Sequence, residues 1–274
     1  MSIIIIASDS YKTGREISEK VAEASSYACV DRELLKSVSE KYNIPEAKLI
    51  KALEEPPSFM GLSSKLINLY LAYIQEATLS RILEDNVVCH GLGAHLYVLG
   101  VSHALKVRIL SDSETLISEV AAQENVAREK AKNLIKKREK LKKRWSLAGF
   151  NLDENEASGY DLVISLNQIE PGEAVKTVID TVGYRKFKPM TYSIKCLKDK
   201  ELAGRVRAVL MEKFSDVKVQ ANGSTVIVET RALKRDKRKK TETIKKLAGE
   251  IKDVDLVEVH VFKDIFRQAV ESNR

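Results

Sequence analysis

Over residues 1–187, short apolar runs alternate with longer stretches in which apolar positions recur at helical spacing. Ser2 to Ala7 is a β-branched run ending in polar residues, which predicts a buried strand. Ile17, Val21, Ala24 and Ser25 then share one helical face. Ala28-Cys29-Val30 predicts a second strand, feeding a helix through Asp31-Arg32-Glu33-Leu34-Leu35. Asn43-Ile44-Pro45-Glu46 marks another helix start, with proline near the first turn. Pro56-Pro57 and Gly61 mark a break, beyond which Leu66, Tyr70, Tyr73, Ile74 and Ala77 keep the helical period of a central, well-packed helix. Further strands are predicted at Val87–His90, closing on Gly91-Leu92-Gly93, at Leu105–Leu110 and at Asp161–Ser165. A very basic helix spans roughly Glu114 to Arg144, and Pro171 to Val182 forms a closing helix. Strands alternating with helices in this way predict an α/β fold, a parallel sheet with crossover helices.

The pattern changes after Pro189. Thr191 to Cys196 reads as a strand, followed by a helix with Leu202, Val206, Leu210 and Phe214 on one face. Two strands then flank Ala221-Asn222-Gly223, where Asn-Gly supplies the positive φ angles of a tight hairpin turn. A helix around Glu242 to Ile251 and a strand through Val257, Val259 and Val261 complete a β-α-β-β-α-β order. The division expected is therefore a domain over 1–187 and a small α+β domain over 188–274.

Composition narrows the classes. Of 274 residues, 44% are hydrophobic and 31% charged, a globular balance. Apolar runs such as Ile3–Ala7 are far too short for a membrane span, and no basic segment precedes that run as a secretory leader would require. The three cysteines, Cys29, Cys89 and Cys196, form no C-x-x-C pair, which argues against a metal site and for a reducing cytoplasm. A net charge of +7 points to anionic partners: nucleotides, nucleic acid or acidic lipid. His90, His95 and His103 lack a Glu or Cys partner in metal-site order, and no G-x-S-x-G elbow supports a hydrolase.

The candidate chemistry lies after the first strand, in Ser8-Asp9-Ser10-Tyr11-Lys12-Thr13-Gly14-Arg15-Glu16. In phosphate-binding loops of the form G-x-x-x-x-G-K-[ST], glycines let backbone N–H groups approach the phosphates and the following helix adds its dipole. Here only Gly14 falls on a motif glycine, Arg15 takes the lysine position, and Glu16 replaces the hydroxyl that ligates Mg²⁺. Read from the motif alone, this is either a modified phosphate loop or a polar strand-to-helix turn in which Gly14 eases close packing.

From Ile3 to about Val182 the chain resembles the cytidylate kinase-like family, a branch of the P-loop nucleoside monophosphate kinases. Gly14-Arg15-Glu16-Ile17 matches the end of that family's S-R-x-[FY]-G-S-G-G-R-E-I signature. Tyr27 to Leu35 resembles its F-Y-D-R-E-L-I segment, Gly91-Leu92-Gly93-Ala94-His95 its G-R-G-A-H, and Tyr160 to Ser165 its Y-D-L-V-I-N strand. The resemblance implies a P-loop kinase-like sheet with helices on both faces, ATP and Mg²⁺ as cofactors, and a nucleotide as partner. It also implies catalytic roles for Lys12 and Arg15, and nucleotide contacts from Ser10, Thr13, Gly14, Arg15, Glu16, Asp31 and Arg32.

The departures bear on activity. Tyr11, Lys12 and Thr13 stand where the family has G-S-G, Leu92 where its arginine grips the monophosphate, and the lid aspartate is missing near Lys136-Lys137-Arg138. Phosphoryl transfer rests on positioning and cationic stabilisation, so these losses remove part of its source of rate. Two readings stand: a kinase acting on a nucleoside monophosphate or related acceptor, and a catalytically inactive descendant that binds and regulates.

Ten of the seventeen residues from Arg128 to Arg144 are Lys or Arg. They suit a kinase lid or a solvated helix paired with its own glutamates. A second basic cluster, Arg231 to Lys240, has no interleaved aromatic residues, which argues against nucleic acid. Leu202 to Phe262 resembles a BON domain, which implies an anionic ligand or phospholipid as its partner; a generic ferredoxin-like regulatory module is the alternative.

Overall fold

The structure, a computed structural model, describes residues 2–55 and 61–263; the Pro56-Pro57 break lies outside them. The first unit runs β1 (Ile3–Ser8), α1 (Tyr11–Ser25), β2 (Ala28–Val30), α2 (Leu34–Tyr42), α3 (Glu46–Glu54), α4 (Ser64–Ile82) and β3 (Val87–His90). It continues with α5 (Ala94–Tyr97), β4 (Ala104–Leu110), α6 (Ser113–Glu124), α7 (Arg128–Phe150), β5 (Leu162–Ser165) and α8 (Pro171–Val182). Five strands pair in parallel in the order β2-β3-β1-β4-β5. This is the parallel, kinase-like α/β sheet expected from the sequence.

Strand β1 shows why the sheet needs helices on both faces. Successive side chains point to opposite sides, so Ile3 and Ile5 enter one core while Ile4 and Ile6 enter another, all fully buried. Each such side chain contributes roughly 1.5–3 kcal/mol on burial. On the first face lie α2, α3 and α4; on the second, α1 packs beside α8. Helix α4 is apolar nearly all round, and its one buried carboxylate, Glu76, is met by Lys41 at 2.9 Å and Tyr42 at 3.3 Å.

Two expected elements are corrected. The long basic helix is two helices, because Asn125 adopts φ 51° and ends α6 before α7 begins. Leu116, Ile117, Val120 and Ala131 then form a separate small core between the antiparallel pair. The second correction is at Thr191–Cys196, which is not a strand but the first turns of α9 (Thr191–Met211). The β-branched residues there suggested extended chain, yet Ser193 Oγ accepts the Met190 N–H at 3.1 Å and starts a helix. Packing of α9 along α4 overrides the local preference, with Leu197 and Ala208 entering the main core.

The second unit is thus α-β-β-α-β rather than β-α-β-β-α-β: α9, β6 (Lys218–Asn222), β7 (Thr225–Ala232), α10 (Lys237–Gly249) and β8 (Leu256–Lys263). Its mixed sheet has the order β6-β7-β8, antiparallel at the hairpin and parallel between β7 and β8. Gly223 takes φ 60° at the predicted turn. Val226, Val228, Ile244 and Ala248 fill its core together with Ala72 of α4, so α4 serves both units.

Candidate active site

Strand β1 delivers the chain to the carboxyl edge of the sheet, where ligands bind in open α/β folds. Only Asp9 and Ser10 separate it from α1. Asp9 accepts hydrogen bonds from the Ser10 N–H (2.7 Å) and the Ser111 N–H (3.0 Å), tying this turn to the one after β4. Ser10 Oγ caps α1 by accepting the Thr13 N–H at 3.1 Å. Tyr11, Lys12, Thr13 and Gly14 are therefore the first turn of a helix, not a loop. Gly14 is there for space. A Cβ would stand 2.1 Å from Ser8 Oγ and 2.4 Å from His90 Nε2.

His90, at the end of β3, is nearly fully buried, and burial lowers its pKa to about 4, so it is neutral at pH 7. Ser8 Oγ donates to Ser10 O at 2.7 Å, so the 2.9 Å contact with His90 is a donation from Nε2–H to Ser8. The Tyr11 ring stacks on His90, and the Arg32 guanidinium lies 4.0 Å over Tyr11. Arg32 also pairs with Glu54 at 2.6 Å.

An acidic residue that the sequence did not single out completes this corner. Glu119 of α6 reaches back to the N-terminus of α1, accepting from Ser10 Oγ at 2.5 Å and from Thr13 Oγ1 at 3.4 Å. A carboxylate thus sits where the helix dipole and free N–H groups favour an anion. Its position in the chain, 109 residues from Ser10, gave no sequence signal.

A cavity of about 1070 Å³ opens in front of this corner. The α3–α4 side contributes Leu53, Ile67 and Leu71; the α6–α7 pair contributes Leu116, Val120 and Ile135. Of the residues expected at the site, Ser10, Lys12 and Arg32 line it, whereas Thr13, Gly14, Arg15, Glu16 and Asp31 do not. Arg15 instead meets three carboxylates, Glu19 at 2.8 Å, Asp31 at 3.2 Å and Glu33 at 3.3 Å. Asp31 also caps the next turn by accepting the Glu33 N–H at 2.8 Å. Glu16 lies on α1, exposed.

Six cations line the cavity: Lys12, Arg32, Arg108, Arg138, Lys142 and Arg144. Arg32 is taken by Glu54, and Arg138 by Glu124 at 2.5 Å. Arg108 donates to the Glu154 carbonyl and to Asn155 Oδ1 (3.0 Å). Among the described residues, Lys12, Lys142 and Arg144 have no carboxylate within 4.0 Å. They supply positive charge that no described carboxylate neutralises directly.

Beside Lys142 lies a buried polar group from three elements. His95 of α5 stacks on Tyr160 (ring centroids 5.3 Å apart), and its Nε2 is 3.8 Å from Glu154 Oε2 without a hydrogen-bond partner. Burial, then the charges of Lys142 and Arg108, push His95 down to about 3. Burial raises Glu154, opposed by the same two cations. Arg108 was findable: it is a charged residue inside a central strand, on the polar side of the alternation Lys106, Arg108, Leu110. His95 comes from α5, and Glu154 and Tyr160 from the connection between α7 and β5, so only the fold joins the histidine to the other two.

The Gly91-Leu92-Gly93 turn after β3 has three successive positive φ angles, 70°, 57° and 74°. Leu92 is buried in the main core, so no cation projects from the position of the family's arginine. Gly93 is fixed both by its φ and by Trp145, 3.0 Å from where its Cβ would be.

The sequence profile of the cytidylate kinase-like family matches residues 3–168, more than half of the chain. The chain belongs to the cytidylate kinase-like family. Among solved structures, the crystal structure of an uncharacterized protein from Eubacterium ventriosum is similar, with TM-score 0.48 and 20% identity, covering 68% of this chain and 100% of that one. No curated protein matches the chain. Membership of a kinase-like family implies nucleotide and metal use in general. Among the described residues no three His, Cys, Asp or Glu groups converge to hold an ion. Nor is any helix among them long and apolar enough to cross a membrane.

Proposed function

We propose that this protein binds a nucleotide through its phosphates in the cavity at the carboxyl edge of the parallel sheet, and acts as a binding protein rather than an efficient phosphotransferase. One observation carries the reading. Lys12, Lys142 and Arg144 face the cavity without carboxylate partners, while the N-terminus of α1 is already occupied by Glu119. Phosphates are drawn by Lys142 and Arg144 of α7 and by Lys12 of α1, and are repelled from the backbone N-terminus of α1 by the Glu119 carboxylate. The acceptor-gripping arginine is replaced by buried Leu92, so two substrates are not both clamped for in-line transfer.

The transferase reading is favoured by the retained scaffold. Arg32 lines the cavity and Asp31 fixes the adjoining turn, as a kinase acting on a nucleoside monophosphate with ATP would need. Mg²⁺ would arrive on the nucleotide's phosphates. In the nucleotide-binding reading, the C-terminal unit, BON-like in its helix–hairpin–helix–strand order, passes the bound state to a partner. Lys234, Lys237 and Lys239 are exposed there, which supports an anionic ligand or lipid. A reducing cytoplasm belongs to the same proposal and suits the unpaired Cys29, Cys89 and Cys196.

Calorimetric titration with ATP, with and without Mg²⁺, tests the reading, alongside a turnover screen with nucleoside monophosphates. The expected result is ATP binding that weakens at least about tenfold in Lys142→Ala, the loss of one charge-assisted contact, without appreciable turnover. Rapid turnover of a monophosphate would establish the transferase reading instead. No nucleotide binding at millimolar concentration would overturn both.

A further inference from the structure

The two sheets have four edge strands among the described residues: β2, β5, β6 and β8. Three are short, with 3, 4 and 5 residues, and short edges resist pairing with other chains. Strand β8 has 8 residues, Leu256–Lys263, with no proline and no glycine. Its core-facing positions are Val257, Val259 and Val261, so it also lacks the inward-pointing charge that commonly protects an edge.

The backbone of β8 has a free side of known parity. Leu256 donates its N–H to Ser224 O at 3.3 Å, and the ladder continues in parallel register from Thr225↔Leu256 to Ala232↔Lys263. In a parallel ladder the residue that donates also accepts, so Leu256, Glu258, His260 and Phe262 bond to β7. Val257, Val259 and Val261 turn their N–H and C=O groups away from the sheet.

The order of side chains along this edge is self-complementary when read backwards. Reversal about Val259 sets Asp255 opposite Lys263, Leu256 opposite Phe262, Val257 opposite Val261, and Glu258 opposite His260. Leu256 and Phe262 are 52% and 54% exposed, large apolar side chains left in water by the isolated chain. Glu258 and His260 share that outer face, 3.8 Å apart within the strand and about half exposed. An antiparallel copy would cover both apolar residues and place an acid beside an imidazole on each side of the axis.

We propose that β8 pairs with β8 of a second copy of this chain, antiparallel and centred on Val259, joining two three-stranded sheets into one of six. The contact is isologous, with each residue meeting its complement across a two-fold axis, so it closes as a dimer and does not propagate. The partner is a second copy because the complementarity runs through every pair from Asp255 to Lys263 within one strand.

Sedimentation equilibrium of the full chain over a wide concentration range tests this, with Glu258→Lys, His260→Glu and the double variant measured in parallel. All four positions in the two contact pairs are exposed, so the monomer fold is expected to tolerate the changes, and circular dichroism checks it. The expected result is a concentration-dependent dimer of the 30.7 kDa chain. Each single change weakens it about tenfold by setting like charges, or a cation and an imidazole, opposite each other. The double variant regains dimerisation, because each new charge then faces its opposite in the other copy. A monomer at every concentration would overturn the proposal, as would a dimer indifferent to both single changes.

Discussion

The cavity has two charged sides built on opposite principles. At the start of α1, every charge but that of Lys12 is answered: Arg15 by three carboxylates, Arg32 by Glu54, and the helix N-terminus by Glu119. On α7, Lys142 and Arg144 meet no carboxylate. The first side carries the motif residues of the family and the second carries none of the signature, yet the second is the one left open to an anion. Motif position therefore says where the family's signature lies, and charge balance says where cations are left without carboxylate partners.

Four experiments break or sharpen that comparison. The largest effect concerns the floor beneath both sides. His90 titrates at about 4 when folded against 6.5 ordinarily, so between these values the unfolded chain binds a proton the folded chain does not. Stability is therefore constant above about pH 6.5 and falls as pH drops toward 4, by roughly 3 kcal/mol for this histidine. Urea denaturation across that window measures it, and His90→Gln flattens the slope. The slope that remains in the variant belongs to His95 and His103, both also held low by burial.

Gly14→Ala comes next. Its methyl has no room against Ser8 and His90, and overpacking of this kind costs about 1–3 kcal/mol, partly offset by alanine's better helix propensity. A neutral or stabilised variant would mean that the α1 side is a yielding loop rather than a packed turn. Glu119→Gln removes the carboxylate from the helix end while keeping a hydrogen-bonding side chain. Affinity for ATP should rise by several-fold, corresponding to about 0.5–2 kcal/mol of relieved repulsion at a helix N-terminus. Unchanged affinity would confine the ligand to the α7 side. The smallest effect is expected from Arg15→Ala. Its guanidinium lies outside the cavity, paired with exposed Glu19 and Glu33 and with buried Asp31, so ATP binding should change by less than about twofold.

The sequence by itself determined the strands of the parallel sheet and the helix at Pro171–Val182. Their signals are local: β-branched runs buried on both faces, a 3.6-residue period, and proline at a helix start. The hairpin at Asn222-Gly223 was legible for the same reason, although only Gly223 takes a positive φ and Asn222 is the last residue of β6. The helix at Thr191–Cys196 was not, because its residues locally favour extended chain and only the surface of α4 makes them helical. The break at Asn125 was missed because apolar positions continue on both sides of it, from Leu116 to Ile135, with no proline or glycine to mark a stop.

At the site, Ser10, Lys12 and Arg32 were named from sequence and do line the cavity, being close to the end of a predicted strand. Tertiary structure alone decided that Arg15 and Asp31 neutralise each other away from it, that Glu119 reaches the end of α1, and that His95, Glu154 and Tyr160 meet beside Lys142. The physical reason is range. Backbone preference acts over a few residues and can be read along the chain. Electrostatic pairing acts over a few ångströms of space, between groups that the chain separates by 109 positions in the case of Ser10 and Glu119.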